Sequence, residues 1–542
     1  MTFGNRKFAG FLGAATVVII AEYVLVLSDC VISGRVLGET ALGSMNLLMP
    51  VFSTVSFFTW MLAVGTSIVY SDAVGRTDRE LASKLAGQGL AAAIAIGTGL
   101  AVIVAFMEGP YLSFMASDAV TVKFVRQYWT WYPLVVLLEA IDMLLLYLVY
   151  TDGGRIACLC SYVGQVTVNI SAAYFLCAKT RLGMCGISLG TLLAYVVGIA
   201  ALLPHLRSCK CQLRFRPAFM PRELIRSFKL SFGDASAGLF HALLFFLITK
   251  YLLYRWGSET LPIAAVVFCI VRLTVFFNGV GIALQPLETV YHGEGNETGV
   301  LKLVRFATVV SAVEGLAISA VILAVPDLIV SLVGIGEPGL GDASRHAVRL
   351  AVSGFVGYAM VYMLNSHYQY IGKPGRSVSL TASAFLIVPA ILVLVFGGCL
   401  GLSGVWLAVS VGPLCALVTV VPFWRRSTAG LRLPNMWTVK LWKAGGVEAV
   451  LESARRFLDD ENVGEPLART VTETIGLALR QVRDGNRNRK VIAELTLDCR
   501  NGVRVIVRDD GVNLPFNGSA GVGVVHMPAA GFNRNVLTWS NI

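Results

Sequence analysis

Long apolar runs are the feature that most constrains this chain. A helix that crosses a bilayer needs about 20 largely apolar residues, and about twelve such runs precede residue 425. Their centres lie near Val18, Phe58, Ile94, Leu138, Val166, Tyr195, Phe245, Val280, Ala317, Met360, Ile387 and Val411. Only 14% of the 542 residues are charged, whereas ordinary soluble proteins carry about 25%. The pattern predicts an all-α polytopic membrane bundle of twelve transmembrane helices and excludes a single soluble globule.

Basic residues precede the first apolar run and follow every second run after it, and this alternation predicts the orientation. They include Arg6, Lys7, Arg76, Arg79, Lys84, Arg155, Lys302, Arg305, Lys373, Arg376, Arg425 and Arg426, with a longer basic segment at 205–229. Cytoplasmic loops of membrane proteins are rich in Lys and Arg. We therefore assign the net charge of +11 to these loops rather than to a nucleic-acid surface. Both termini are expected in the cytoplasm of a bacterium, with the bundle in its plasma membrane.

The apolar part of the chain repeats itself. Three pairs of short segments match at offsets of 221, 218 and 220 residues, and these are 150–155 with 370–376, 182–186 with 400–404, and 38–40 with 257–260. Six apolar runs separate equivalent points, so the two halves have the same orientation. The repeat predicts a first lobe at 1–204, a basic linker at 205–229 and a second lobe at 230–425. Two-lobed bundles of this kind are a transporter architecture.

The order of several motifs resembles the multidrug and toxic compound extrusion (MATE) family. The motifs are the segment 28–42 with Asp29, Gly34 and Gly38, the segment 150–194 with Asn169, and the segment 285–296. The resemblance implies a secondary antiporter that works by alternating access. It exports bulky, often cationic organic compounds in exchange for H⁺ or Na⁺. The resemblance extends over about residues 8–425. It depends on the order and spacing of the motifs taken together.

The same resemblance implies a set of ion-coupling residues. Bacterial members of the family use an Asp in the first span and, in the fifth span, an Asn with an Asp four residues later. Asp29 and Asn169 match the first two positions, whereas Ala173 occupies the third. Glu22 precedes Asp29 by two helical turns and could extend the line of carboxylates. We expect Asp29, Asn169 and Glu22 to hold the coupling cation.

Carboxylates elsewhere in the apolar runs are further candidates, since a charge at mid-bilayer costs on the order of 3 kcal/mol or more. Glu139 and Asp142 lie one turn apart on one helical face. They are expected to bind an organic cation, or they could replace the missing carboxylate partner of Asp29. Glu288 or Glu314 could serve the second lobe. Asp29 has a structural alternative, in which it pairs with a basic residue, and Glu22 could support packing.

Residues 446–542 are predicted to form a soluble domain after a linker at 426–445. Segments 448–458 and 465–482 have the period of amphipathic helices, and segments 491–497, 503–507 and 535–539 alternate like strands. This order resembles the GHKL fold of ATPases, nearest to anti-sigma-factor kinases. The resemblance implies an α/β nucleotide-binding domain at the end of the chain.

The GHKL resemblance also implies the residues of a nucleotide site. Glu473 matches the helical Glu, Asp509 and Gly511 match the adenine motif, and Gly521 and Gly523 match a second glycine box. Leu477 stands where the family has an Mg²⁺-binding Asn, and leucine offers no oxygen ligand. We therefore expect a degenerate domain that does not bind ATP and that acts as a regulatory or partner-binding module.

Two other functions remain open at this stage. The membrane part could be a sensor that signals through its tail, or it could be a flippase for lipid-linked oligosaccharides. In each case the expected partners are the lipid bilayer, small organic compounds and a cytoplasmic protein for the tail, with no nucleic acid. No enzyme activity and no required cofactor are predicted. Cys209 and Cys211 form a Cys-x-Cys pair in the basic segment, from which no metal site is predicted.

Overall fold

The computed structural model describes most of the chain. The described residues are 3–115, 119–180, 182–208, 211–326, 338–418, 434–443, 445–486, 489–500, 502–512, 515–516, 522–529 and 531–539. The side chain of Glu22, one of the predicted cation-coupling groups, lies outside this description.

Helices dominate the part of the chain before residue 419. They are α1 (Phe3–Ile32), α2 (Glu39–Gly75), α3 (Arg79–Met115), α4 (Ala119–Trp129), α5 (Tyr132–Thr151), α6 (Arg155–Lys179), α7 (Met184–Leu206), α8 (Pro221–Trp256), α9 (Leu261–Arg272), α10 (Asn278–Gly293), α11 (Glu297–Ala324), α12 (Pro338–Val352), α13 (Phe355–Tyr370), α14 (Pro374–Ala382), α15 (Val388–Leu400) and α16 (Leu402–Val418). Short π-helical or 3₁₀ turns occupy Ser33–Leu37, Ser258–Thr260, Leu273–Phe277 and Ser383–Ile387.

The predicted polytopic bundle is confirmed, because every predicted run centre falls within a helical segment. Among the described residues, nine helical segments are long and apolar enough to cross a membrane. A tenth results if α12 and α13, which meet at a 41° bend, count as one span. The number of twelve spans stays a prediction, since α1 and the shorter α16 are not among these ten.

The backbone repeats itself at the spacing found in the sequence. Residues with φ in the left-handed region recur 218 or 219 positions apart, and the pairs are Gly38 with Gly257, Thr77 with Gly295, Gly153 with Gly372, and Gly183 with Gly401. Most are glycine because a side chain disfavours this conformation. A helix cap recurs as well, since Asp78 accepts from the amide of Leu81 and Asn296 accepts from the amide of Gly299. These recurrences support two halves with like backbones, although the lobe boundaries stay a prediction.

The two halves pack closely along one part of their seam. Every residue from 61 to 75 in α2 and from 278 to 291 in α10 is buried. A Cβ placed on Gly65 would lie 2.2 Å from the carbonyl oxygen of Ser227 in α8, and a Cβ on Gly75 would lie 2.6 Å from that of Val290. Earlier in α2, residues 49–60 include several exposed positions. The lobes therefore meet tightly at the end of the bundle where α2 and α10 finish.

A five-stranded sheet follows the bundle. Its strands are β1 (Asn435–Lys440), β2 (Ile492–Asp498), β3 (Val503–Asp509), β4 (Gly523–His526) and β5 (Asn533–Trp539), with α17 (Gly446–Asp460) and α18 (Glu465–Asp484) inserted after β1. The strand order is β1-β2-β3-β5-β4, and every neighbouring pair is antiparallel. Leu495, Val505 and Leu537 are fully buried in the core that one sheet face forms with the two helices. We refer to residues 434–539 as the tail.

One sequence-based boundary is wrong. The predicted linker at 426–445 contains β1, which pairs with β2 from Asn435 to Lys440. Residues 419–433 lie outside the described part of the chain. The tail therefore includes β1, because this strand completes the edge of the sheet beside β2.

The tail contacts the end of the bundle at which the lobes meet. The ring of Phe3 packs edge-on against Phe532 at 5.5 Å between centroids, and Arg6 pairs with Asp510 at 3.1 Å. The side chain of Arg500 donates to the carbonyl of Gly295 at 2.6 Å. We call this end of the bundle, formed by the start of α1 and the turns at 75–79, 151–154 and 293–297, the tail face.

Candidate functional site

Asp29, near the end of α1, lies in a cage of three hydrogen-bond donors. Asn169 of α6 donates from Nδ2 to Oδ1 at 3.1 Å, and Thr191 of α7 donates to Oδ2 at 3.0 Å. Tyr128 of α4 donates its hydroxyl to Oδ2 at 3.3 Å. Asp29 is only 6% exposed, and within the described residues no Lys or Arg pairs with it. Neutral donors thus surround this carboxylate, and a cation could complete its charge balance.

Asn169 reaches this cage because the buried face of α6 repeats every four residues. That face includes Ser161, Gln165, Asn169, Ala173 and Cys177, a spacing that aligns side chains along one side of a helix. Ser28 donates to Oδ1 of Asn169 at 2.6 Å, which directs the amide nitrogen toward Asp29 and Thr191. The structure therefore places the predicted pair Asp29 and Asn169 in direct contact.

Helices α6 and α7 pack closely at Ala173, one turn after Asn169, and leave space there for only a small side chain. Ala173 is fully buried, and a Cβ on Gly190 would lie 2.6 Å from its amide nitrogen. A larger acidic side chain at position 173 would need space that α7 fills. Among the described side chains, Asp29 is thus the carboxylate at this cage.

Glu139 and Asp142 on α5 are buried and have different partners. Ser56 and Thr59 of α2 donate to Oε1 of Glu139 at 3.0 and 3.2 Å. Gln165 of α6 donates to Oδ2 of Asp142 at 3.0 Å, while Oδ1 of Asp142 has no hydrogen-bond partner among the described residues. Their exposures are 6% and 2%. Both carboxylates are enclosed by helices of the first lobe, which suits a small ion or a proton better than a bulky compound.

Asp234 of α8 is a carboxylate that the sequence analysis missed. Trp60 of α2 donates from Nε1 to Oδ2 of Asp234 at 2.7 Å, and Asn365 of α13 donates to Oδ1 at 3.4 Å. The donors come from different lobes, so Asp234 lies at the seam. An inventory of every acid in the apolar runs would have found it, because it lies eleven residues before the run centre at Phe245.

The second lobe contains a buried acid–base pair. Nδ1 of His367 contacts Oε1 of Glu288, and the two side chains are 6% and 0% exposed. Oε2 of Glu288 has no hydrogen-bond partner among the described residues, and the same is true of Oε2 of Glu314. Glu288 and Glu314, the two candidates for the second lobe, therefore each have one carboxyl oxygen without a hydrogen-bond partner among the described residues. Their contacts do not include Asp29.

The MatE family model matches residues 14–175 and 236–395, which together make up more than half of the chain. The two matched segments lie within the predicted lobes at 1–204 and 230–425. The chain belongs to the MatE family. This is a family of transporters, and the multi-pass bundle of this member agrees with that assignment.

Solved structures share the fold of this MatE protein at low sequence identity. A MATE protein in complex with MaL6 superposes with a TM-score of 0.72 at 17% identity, over 78% of this chain and 96% of the other. A transporter of the MOP superfamily from Pyrococcus furiosus, for which a reversed polarity of the binding pocket is described, gives 0.71 at 18% identity, over 78% and 96%. An outward-facing multidrug resistance MATE transporter gives 0.71 at 17% identity, over 78% and 96%. No curated protein sequence matches the chain.

The matched segments of this MatE protein end before the tail, whose predicted nucleotide residues have other partners. Asp509 accepts from Asn533 at 2.8 Å and from the amide of Gly511 at 2.9 Å. Burial raises the pKa of Asp509, and the hydrogen bond from Asn533 opposes this effect. Its carboxyl group is thus engaged inside the sheet.

The remaining nucleotide candidates are not brought together among the described residues. Glu473 lies on the exposed side of α18 and pairs with Arg469 at 3.0 Å. Leu477, one turn further, is 56% exposed. Gly523 opens β4 opposite Thr538, whereas Gly521 lies outside the described residues. The GHKL-like site remains a matter of motif resemblance alone.

A buried network of four charged groups joins the tail to the tail face. Arg508 of β3 contacts Glu294 and pairs with Glu494 of β2 at 3.1 Å. Arg534 of β5 pairs with Glu294 at 3.0 Å. All four side chains are 0% exposed. Tyr291 of α10 donates to Glu494 at 2.9 Å. Two cations and two anions balance each other, as buried charges require.

Strand alternation alone suggests that one face of the sheet is exposed to water, but this network shows that the face is buried. Glu494, Thr496, Arg508 and Arg534 occupy the polar face of the sheet, which in an isolated domain would face water. Here Thr496 is 2% exposed and the others 0%, because the tail face covers them. Arg534 also donates to the carbonyl of Val74 at 2.6 Å, so one guanidinium contacts the end of α2 in the first lobe and Glu294 of the second lobe.

Proposed function

We propose that this MatE protein is a secondary active exporter of bulky, cationic organic compounds, driven by H⁺ or Na⁺ bound at Asp29. The observation that carries the proposal is the cage around Asp29, in which Asn169, Thr191 and Tyr128 donate to a buried carboxylate that has no basic partner among the described residues. Intramembrane carboxylates of this kind are costly and are typically functional. Glu22, whose side chain is not described, stays part of the predicted cation site.

Ion binding at Asp29 would act through the packing of the first lobe. The carboxylate joins α1, α4, α6 and α7 through three hydrogen bonds. A proton or Na⁺ changes the charge at this junction and hence the preferred spacing of those helices. Such an ion shifts the population between two conformations only by its difference in affinity for them. We infer that the loaded and empty states differ in how α1 packs against α6 and α7.

We propose that Glu139 and Asp142 bind a proton or a small ion rather than the bulky organic cation itself. Their burial against α2 and α6 favours the view that they exchange protons or hold a small ion, and that they influence the organic cation from within the wall of the first lobe. The free Oδ1 of Asp142 is the atom at which a proton or ion would bind.

Asp234 would link the state of the first lobe to that of the second. Two of its hydrogen-bond donors, Trp60 and Asn365, belong to different lobes. Alternating access requires the lobes to change their mutual orientation, and this must alter or break the bond from Trp60. The charge of Asp234 would therefore respond to lobe movement.

We propose further that the tail regulates the transporter by holding the tail face closed. Arg534 contacts Val74 and Glu294, while Arg500 contacts Gly295 and Arg6 pairs with Asp510. Arg534 can keep both of its contacts only while the ends of α2 and α10 are close together. An opening at the tail face would expose the four buried charges, so release of the tail must precede it. In the orientation predicted from the basic residues, the tail face lies on the cytoplasmic side.

Gradient-driven efflux from proteoliposomes tests the exporter proposal. We expect the wild-type protein to export an organic cation when an H⁺ or Na⁺ gradient is applied, and Asp29→Asn to lose this transport. An unchanged rate in Asp29→Asn would reject the role of Asp29. A folded protein that transports nothing under any gradient would instead favour the second function, a membrane sensor, which the docked tail also supports.

A further inference from the structure

A cluster of three potential metal ligands lies at the tail face, apart from the residues used above. It consists of Asp152 after α5, His205 in the last turn of α7 and Cys211 in the segment that connects α7 to α8. One ligand atom from each lies within 4.8 Å of the other two. Asp152 and Cys211 are buried, and His205 is half-buried. We propose that these residues bind a Zn²⁺ ion, with a water molecule as the fourth ligand.

The set of side chains fits the chemistry of zinc. Zn²⁺ accepts carboxylate oxygen, imidazole nitrogen and thiolate sulfur together, at bond lengths of about 2.0–2.3 Å in tetrahedral geometry. Such bonds place neighbouring ligand atoms about 3.3–3.7 Å apart. His205 Nε2 and Asp152 Oδ2 are 3.0 Å apart. Between these two atoms, a shift of a few tenths of an ångström would open the space for the ion. Harder cations such as Mg²⁺ and Ca²⁺ prefer oxygen ligands and fit this set less well.

The surroundings of the cluster hold its ligands in place. The amide of Gln212 donates to both oxygens of Asp152, at 3.3 and 3.2 Å, and Tyr70 donates to Oδ1 at 3.4 Å. Outer-shell donors of this kind orient metal-bound carboxylates. A Cβ on Gly154 would lie 2.9 Å from Nδ1 of His205, so the glycine leaves room for the imidazole.

A bare ion pair between Asp152 and His205 is the competing interpretation. It accounts for the 3.0 Å contact between them. In that case the buried thiol of Cys211, which comes from a separate segment, only hydrogen-bonds to Asp152. A bound ion would use all three residues and would release the thiol proton to water. It would also fasten the connecting segment to the first lobe, near the place where the lobes meet.

Cobalt substitution on the full-length protein in detergent tests the site. Co²⁺ occupies tetrahedral zinc sites and gives a thiolate-to-metal charge-transfer absorption, which reports a cysteine ligand directly. We expect the wild-type protein to bind one Co²⁺ per chain with this absorption and Zn²⁺ to displace it. Cys211→Ser should lose the absorption, and His205→Gln and Asp152→Asn should lower the Co²⁺ affinity by more than about tenfold.

Cys160→Ser is the matched control, since Cys160 is an exposed cysteine of α6 outside the cluster, and it should keep the absorption. The proposal is overturned if the wild-type protein binds no Co²⁺ or Zn²⁺ after free metal is removed. It is also overturned if Cys211→Ser retains the charge-transfer absorption. Should Cys211→Ser fail to fold, the zinc content of the wild-type protein and of His205→Gln, measured by mass spectrometry, still decides between the ion and the bare pair.

Discussion

Arg534 of the tail and Glu294 of the second lobe form a fully buried ion pair at 3.0 Å. The same guanidinium donates to the carbonyl of Val74 in the first lobe at 2.6 Å. One side chain of the tail thus touches both halves of the transporter at the point where they meet. Under the proposed function this relationship would connect the tail to alternating access, because the three partners can stay together only while the tail face is closed.

Arg534→Ala should release the tail. The change leaves the carbonyl of Val74 and one oxygen of Glu294 without their buried donor, and removing one partner of a buried pair costs about 3–5 kcal/mol. We expect faster hydrogen exchange in β5 and faster proteolysis of the tail. Arg469→Gln is the control, since Arg469 lies in an exposed pair that is worth about 0–1 kcal/mol. Equal exchange rates in wild type and Arg534→Ala would contradict the docking role.

Docking of the tail should strengthen as the pH falls. Burial raises the pKa of Glu494 above its usual range, although Arg508 and Tyr291 oppose the shift. A carboxyl group whose pKa is higher in the docked state takes up a proton on docking. The docked state therefore gains stability as the pH falls through the raised pKa, and the gain is complete below the ordinary glutamate pKa of 4.5. Above the raised pKa this contribution is lost.

Hydrogen exchange of β2 tests whether docking strengthens as the pH falls. It is measured across the range in which Glu494 titrates and is corrected for the intrinsic exchange rates. Glu494→Gln has no proton to take up at this position, so its docking should depend less on pH than that of the wild type. An identical pH dependence in the two proteins would show that another group controls docking.

Trp60→Phe should change the balance between the lobes. The substitution keeps an aromatic ring but removes the Nε1 donor that bonds Asp234 at 2.7 Å. The carboxylate then loses its strongest link to the first lobe, at a cost of about 1.5–3 kcal/mol for a hydrogen bond to a charged group. Distances between spin labels on α2 and α8 should shift toward the state in which the lobes are farther apart.

Phe58→Leu provides the comparison for that experiment, because Phe58 is an exposed residue of the same helix. Its distance distribution should match the wild type. If Trp60→Phe also leaves the distribution unchanged, Asp234 does not link the lobes.

The tail should not bind Mg²⁺-ATP. Asp509 is engaged by Asn533 and Gly511, and Leu477 offers no oxygen to a metal. Isothermal titration of the full-length protein with Mg²⁺-ATP should give no saturable heat. Saturable binding that requires Mg²⁺ and is weakened by Asp509→Asn would show that the GHKL-like site is functional.

The helices of the bundle could be predicted from the sequence because a bilayer demands long apolar runs, and each run centre falls in a helical segment. Asp29 and Asn169 could be selected by resemblance to known transporters, whereas the hydrogen bond between them is visible only in the structure. Arg508 and Arg534 could not be recognised as buried, since strand alternation places them on the face that usually meets water. Their cover is the tail face, which is distant in sequence. Asp152, His205 and Cys211 likewise converge only in three dimensions.

Ion-coupled efflux by Asp29→Asn and Asp29→Glu is the most direct test of the central claim that this carboxylate binds the driving ion. Asn keeps the size of the side chain but cannot carry the charge, while Glu keeps the charge at a shifted position. We predict that gradient-driven efflux from proteoliposomes is abolished in Asp29→Asn and partly retained in Asp29→Glu, with both proteins folded. Wild-type rates in Asp29→Asn at every gradient tested would contradict the account.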